Sequence, residues 1–152
     1  MEMDRGFLGV DPDGCGDGST KSHSRMEAPE LGLPMDAPSG WRVERLNPRI
    51  CSKGDNTGII IDEPLEGKAL DAYVLQLSAD NWGKVISTTP LSISGFDAVQ
   101  KVIEYSDAGS KSLKVFIHKG DRLIEVSFVT PTEDFAEHES SIRKSIASIK
   151  IE

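Results

Sequence analysis

The chain has 152 residues, with 17 Lys+Arg against 25 Asp+Glu, a formal net charge of −8. At 38% apolar and 28% charged it can bury a core, which excludes a collagen-like or wholly disordered chain. The acidic balance argues against nucleic acid as a partner, because phosphate binding needs clustered Lys and Arg.

Residues 1–30 are rich in Gly, Asp, Ser and Pro with little apolar periodicity, and read as a flexible N-terminal tail ahead of one domain over residues 31–152. Their one apolar run, Phe7-Leu8-Gly9-Val10, is shorter than the roughly 7–15 residues of an export signal. As written, the expectation is a soluble, cytoplasmic chain, or a cell-envelope one if a leader precedes it. Gly14-Cys15-Gly16-Asp17-Gly18 looks like the start of a mature bacterial lipoprotein, but Val10-Asp11-Pro12-Asp13 is no lipobox. Cys15 is therefore a lipid anchor only if an upstream leader exists. Asp11, Asp13 and Gly16 match positions one, three and six of a calcium loop, yet Cys15 and Ser22 fail at five and twelve.

Patterning begins at Leu31-Gly32-Leu33-Pro34-Met35. Pro38-Ser39-Gly40 reads as a turn before a strand at Trp41–Leu46, with Trp41 filling the core. Arg42, Arg45 and Arg49 form the one basic cluster of an acidic chain. With Asn47-Pro48 and the polar run Ser52-Lys53-Gly54-Asp55-Asn56 they make a loop that is a candidate partner-binding surface, Lys53 included. A strand follows at Thr57–Ile61. Leu70, Tyr73, Val74, Leu77 and Trp82 fall on one stripe and predict a helix over Lys68–Trp82, ended by Gly83.

Strands are expected at Lys84–Ile93 and Gly95–Tyr105. Val102 and Ile103 point opposite ways in the second, which leaves its register open and suggests a bulge there. A two-residue turn at Gly120-Asp121 requires paired positions to sum to 241. Leu113 then faces Phe128, Val115 faces Val126 and Ile117 faces Ile124, so the turn and the apolar pattern select one register. Phe135, Ile142, Ile146 and Ile149 mark a C-terminal helix opened by a capping-box spacing at Thr130-Pro131-Thr132-Glu133. The order of elements indicates an α+β fold, an antiparallel sheet covered by helices.

Reactive chemistry is sparse. No H-E-x-x-H, C-x-x-C, G-x-S-x-G or phosphate-loop motif occurs. His23, His118 and His138 show no metal-ligand spacing, and Asp134 with His138 reads as an exposed helical charge pair. Two cysteines, Cys15 and Cys51, argue against a disulfide framework and exclude a thiolate zinc site; they could pair, but free thiols are the expectation. No catalytic, cofactor or metal residue is assigned.

Four stretches in order resemble the PsbP-like superfamily. Pro38-Ser39-Gly40-Trp41 looks like its P-x-G-W opening, and Ser94-Gly95-Phe96-Asp97-Ala98 like its mid-domain strand start. His118 to Phe128 resembles its penultimate hairpin, and Ser145-Ile146-Ala147-Ser148-Ile149-Lys150-Ile151 its closing S-F-x-I pattern, with Ile149 where an aromatic residue is frequent. The resemblance spans about residues 33–152. It implies an α/β/α sandwich, a central antiparallel sheet flanked by two main helices, serving as a non-enzymatic module that docks to a protein partner without a cofactor. A small-ligand carrier of the cell envelope, with a cleft between sheet and helix, is the rival expectation.

Overall fold

The computed structural model describes residues 25–65 and 83–151. Nine strands and one α-helix lie in these residues: β1 (Arg25–Ala28), β2 (Leu33–Asp36), β3 (Arg42–Val43), β4 (Ile50–Lys53), β5 (Asn56–Pro64), β6 (Lys84–Ile93), β7 (Phe96–Tyr105), β8 (Ser110–Lys119), β9 (Arg122–Pro131) and α1 (Phe135–Ala147). β1 and β2 form a small antiparallel pair. The other seven make one sheet in the order β3-β4-β5-β9-β8-β7-β6, antiparallel throughout. The architecture is α+β.

The β8–β9 hairpin sits in the register that the sequence requires: Leu113 opposite Phe128, Val115 opposite Val126, Ile117 opposite Ile124. Gly120 supplies the left-handed backbone of the turn, with φ of 61°. All six side chains are fully buried, each contributing about 1.5–3 kcal/mol of apolar burial. They form the floor of a core closed by α1, by β1 and β2, and by the chain end at Ile149 and Ile151.

β7 runs against β8 without a break from Ala98↔Ile117 to Tyr105↔Ser110. The irregularity expected at Val102 and Ile103 lies instead on the partner strand, where Ile86 is the extra residue between Val85↔Ile103 and Ser87↔Val102. β7 needs no slip because both faces of the sheet are covered at that point. Val102 is buried toward α1 and Ile103, projecting the other way, is buried as well.

Folded structure reaches further toward the N-terminus than residue 31. Met26 and Ala28 are wholly buried as β1 pairs with β2, two apolar positions too few to show a period. The strand expected at Trp41–Leu46 shrinks to Arg42–Val43: the Glu44 N–H still bonds the Ile50 carbonyl at 2.8 Å in the same register, and the chain then bends at Arg45 and Leu46. The capping box is not formed. Thr130 and Pro131 belong to β9, a 3-10 turn covers Thr132–Asp134, and α1 starts at Phe135 without a side-chain cap. Ile149 still packs in the core, but from the extended stretch after the helix. The helix expected at Lys68–Trp82 lies outside the described residues, and among those α1 is the one α-helix.

Serine side chains fasten the C-terminal end of α1 to β2. Ser148 Oγ accepts the Asp36 N–H at 2.8 Å, and Ser145 Oγ donates to the Asp36 carbonyl. Beyond the helix, the Lys150 N–H reaches the Pro34 carbonyl at 3.3 Å and the Ile151 N–H reaches Ser94 Oγ at 3.0 Å.

Gly58 faces the tightest part of the core, where a Cβ would stand 2.7 Å from Phe128 Cδ1 and 2.8 Å from Cys51 Sγ. Gly58→Ala is expected to lower unfolding free energy by about 1–3 kcal/mol, the usual cost of overpacking. Urea denaturation checks this, and wild-type stability in the variant would contradict the packing described.

Candidate docking surface

The basic residues singled out in the sequence collect near the β3–β4 edge in two different states. Arg42 on β3, Arg45 in the following bend and Lys53 at the end of β4 are exposed. Arg49 is occupied: it bonds Asp62 at 3.1 Å and Glu30 on its other side, while Asp62 also pairs with Arg122 at the β8–β9 turn. This chain of four charges ties the segment after β1, the 44–50 loop, β5 and β9 to one another.

The loop itself is held at several points. The Ile50 N–H bonds the Asn47 carbonyl at 3.0 Å, the Arg49 N–H bonds Asn47 Oδ1 at 3.3 Å, and the Pro48 carbonyl accepts the Glu27 N–H at 3.0 Å. At its tip stands Leu46, 94% exposed. Sequence reasoning took the arginines from this loop and missed the leucine, because a single Leu between Arg45 and Asn47 fits an interior strand position equally well.

The charges shift as their contacts dictate. Arg49 holds the Glu30 carboxyl below its ordinary value, and Glu30 in turn raises Arg49. Burial pushes Asp62 upward, but hydrogen bonds from Arg122 and Arg49 override it and leave the group lowered. Such carboxylates stabilise the fold above their ordinary values of 3.8 and 4.5, and the stabilisation is lost as pH falls through the lower folded values.

Deeper in, Trp41 is 2% exposed and meets both Phe128 (6.0 Å) and His138 (5.7 Å) edge to face. His138 is buried rather than displayed on an exposed helix face beside Asp134, because its stripe is the one α1 turns to the core. Asn56 Nδ2 donates to the Lys53 carbonyl at 2.7 Å and lies 3.4 Å from His138 Nε2. With Nδ2 as the donor, the ring nitrogen Nε2 is the acceptor of that contact. Cys51 is buried alongside, and burial pushes its thiol up to about 12 despite a backbone hydrogen bond from Gly58. It stays protonated at neutral pH and is a poor nucleophile.

On the opposite sheet face Lys114 Nζ donates to Glu125 Oε2 at 3.0 Å and Ser127 Oγ at 2.9 Å. The hairpin register already places Lys114 across from Ser127, so this polar patch was within reach of the sequence. Among the described residues no three His, Cys, Asp or Glu gather as metal ligands, and no helix is long and apolar enough to cross a membrane.

No family model and no curated protein matches the chain. Solved structures do. The cyanobacterial PsbP, CyanoP, of Synechocystis sp. PCC 6803 aligns with a TM-score of 0.60 and 15% identity over 97% of this chain and 100% of its own. This chain has the PsbP-like fold. LpqN of Mycobacterium tuberculosis, described as involved in cell envelope biogenesis, aligns at 0.57 and 12% identity over 78% of this chain and 82% of its own. PA94 of Pseudomonas aeruginosa, a protein of unknown function, aligns at 0.53 and 17% over 80% and 92%. The PsbP-like resemblance carried by residues 38–41, 94–98, 118–128 and 145–151 is thus matched by the three-dimensional fold.

Arg49→Ala is expected to cost about 1–2 kcal/mol at pH 7, the scale of a partly buried charged hydrogen-bond pair. The difference from wild type should shrink in urea titrations at pH 3, below the ordinary values of both carboxyls, where the stabilisation linked to their lowered folded values is falling. A gap unchanged between the two pH values would contradict the linkage.

Proposed function

We propose that this chain is a non-enzymatic docking domain that binds a protein partner through the loop between β3 and β4. The observation that carries the reading is Leu46, 94% exposed at the tip of a loop pinned by backbone hydrogen bonds and by Arg49. Arg45 adjoins that apolar anchor in the chain, and Arg42 and Lys53 add exposed positive charge further along the β3–β4 pair, on a chain of net charge −8. A preformed, rigid presentation of an apolar side chain beside positive charge costs little ordering entropy on binding. The partner it fits has a small apolar pocket bordered by carboxylates. PsbP-like neighbours such as CyanoP and LpqN support an accessory or interaction role for this fold.

The α/β/α sandwich completes the reading. Ile103, Phe116 and Leu123 are buried on the sheet face away from α1, outside the core cluster that α1 closes. The apolar stripe of residues 68–82 is the segment of this chain suited to cover them as a second helix.

Partners isolated with the wild-type domain are compared with those isolated with Leu46→Asp and with Arg45→Glu. A partner whose affinity falls at least about tenfold in either variant, and weakens with salt, fits the reading. One that binds wild type and both variants equally removes this loop as the surface, and turnover of a small substrate by the pure domain removes the docking role.

A further inference from the structure

Trp41 just before β3, Asn56 at the start of β5 and His138 on α1 meet in the core, each more than nine-tenths buried. Trp41 and His138 stand edge to face with ring centroids 5.7 Å apart, and Asn56 Nδ2 lies 3.4 Å from His138 Nε2. Two atoms of this group, Trp41 Nε1 and Asn56 Oδ1, have no hydrogen-bond partner among the described residues. The first is a donor and the second an acceptor. Polar atoms buried this deeply are satisfied by protein or by ordered water, because leaving them unpaired is costly.

Turning the carboxamide over does not remove the mismatch. Asn56 Nδ2 donates to the Lys53 carbonyl at 2.7 Å, and the reversed amide would set Oδ1 against that carbonyl, acceptor against acceptor. Lys53 therefore fixes which amide atom is left over. The unpaired atoms also select the chemistry of an occupant. An indole N–H cannot ligate a cation, and a carboxamide oxygen beside an accepting ring nitrogen disfavours an anion. A neutral hydroxyl suits both, accepting from Trp41 and donating to Asn56. The packing alongside favours the smallest such molecule: Trp41 meets Phe128 at 6.0 Å, and a Cβ on Gly58 would already stand 2.7 Å from Phe128 Cδ1.

We infer that one water molecule is held between Trp41 Nε1 and Asn56 Oδ1, accepting from the indole and donating to the carboxamide, with its second hydrogen directed to His138 Nε2. The contact of 3.4 Å from Asn56 leaves that ring nitrogen weakly engaged. Buried waters make about three hydrogen bonds, and these three partners complete the set. The water joins the root of β3 to the β4–β5 turn and to α1. It does not depend on what binds at Leu46.

The wild-type chain carries the test. A high-resolution crystal structure is expected to show a single ordered water within about 3.2 Å of both Trp41 Nε1 and Asn56 Oδ1. In solution, the Trp41 indole proton of the 15N-labelled chain should give cross-peaks to water of opposite sign in NOE and ROE spectra, the mark of a water held in place. Trp82→Phe leaves Trp41 as the one indole and assigns the signal. In Asn56→Leu the cross-peak should be lost. A direct bond between Trp41 Nε1 and Asn56 Oδ1, or a separate water on each atom, overturns the inference. So does an indole N–H seated over the His138 ring with no water cross-peak, or a cross-peak of wild-type intensity in Asn56→Leu.

Discussion

Everything in this fold hangs on the pairing of β8 with β9. The two strands lie at the centre of the seven-stranded sheet, and their alternate residues supply Leu113, Val115, Ile117, Ile124, Val126 and Phe128 to one continuous apolar floor. A slip of one residue would invert the set, sending Phe116 and Lys114 toward α1 and the core residues to the other face. β5 then reads its place from β9, β7 from β8, and α1 lies on the floor so formed. Trp41 enters the same structure through its edge contact with Phe128, and the presented loop follows within a few residues. The position of Leu46 is thus set by packing that begins in a hairpin far along the chain.

The central hairpin was legible because two independent local signals, a Gly-Asp turn and a period of two, had to agree, and only one register satisfies both. The C-terminal helix was legible for the same reason at a different period. What was hidden is tertiary in origin. β1 contributes only Met26 and Ala28 to the core, and no window of sequence distinguishes two buried residues from chance in a Gly- and Ser-rich stretch. The bulge moved from β7 to β6 because burial on both faces of the sheet, invisible in a single strand, lets Val102 and Ile103 both be interior. The start of α1 was misplaced since Thr130 and Pro131 are held by the sheet, and ladder hydrogen bonds outweigh a capping box worth about 1 kcal/mol.

The candidate surface divides in the same way. Sequence spacing alone finds Arg42, Arg45, Arg49 and Lys53, because they cluster in a chain with a net charge of −8. Which of them stays unpaired with a carboxylate at this edge is decided in part by Glu30 and Asp62, residues distant in sequence that claim Arg49. His138 shows the converse. A polar residue on a helix is read as exposed until the fold places Trp41 and Asn56 beside it.

The bulged outer strand has a consequence for life in a crowded solution. β6 ends the sheet with its early residues facing solvent, an edge onto which a neighbouring molecule's strand could zip. Ile86 interrupts the regular spacing of its backbone groups, Pro90 lacks a donor, and Lys84 places a charge at its start. The sheet therefore stops growing at that border. An edge interrupted in this way is a poor template for a further strand, even though Val85 and Ile86 expose apolar surface there.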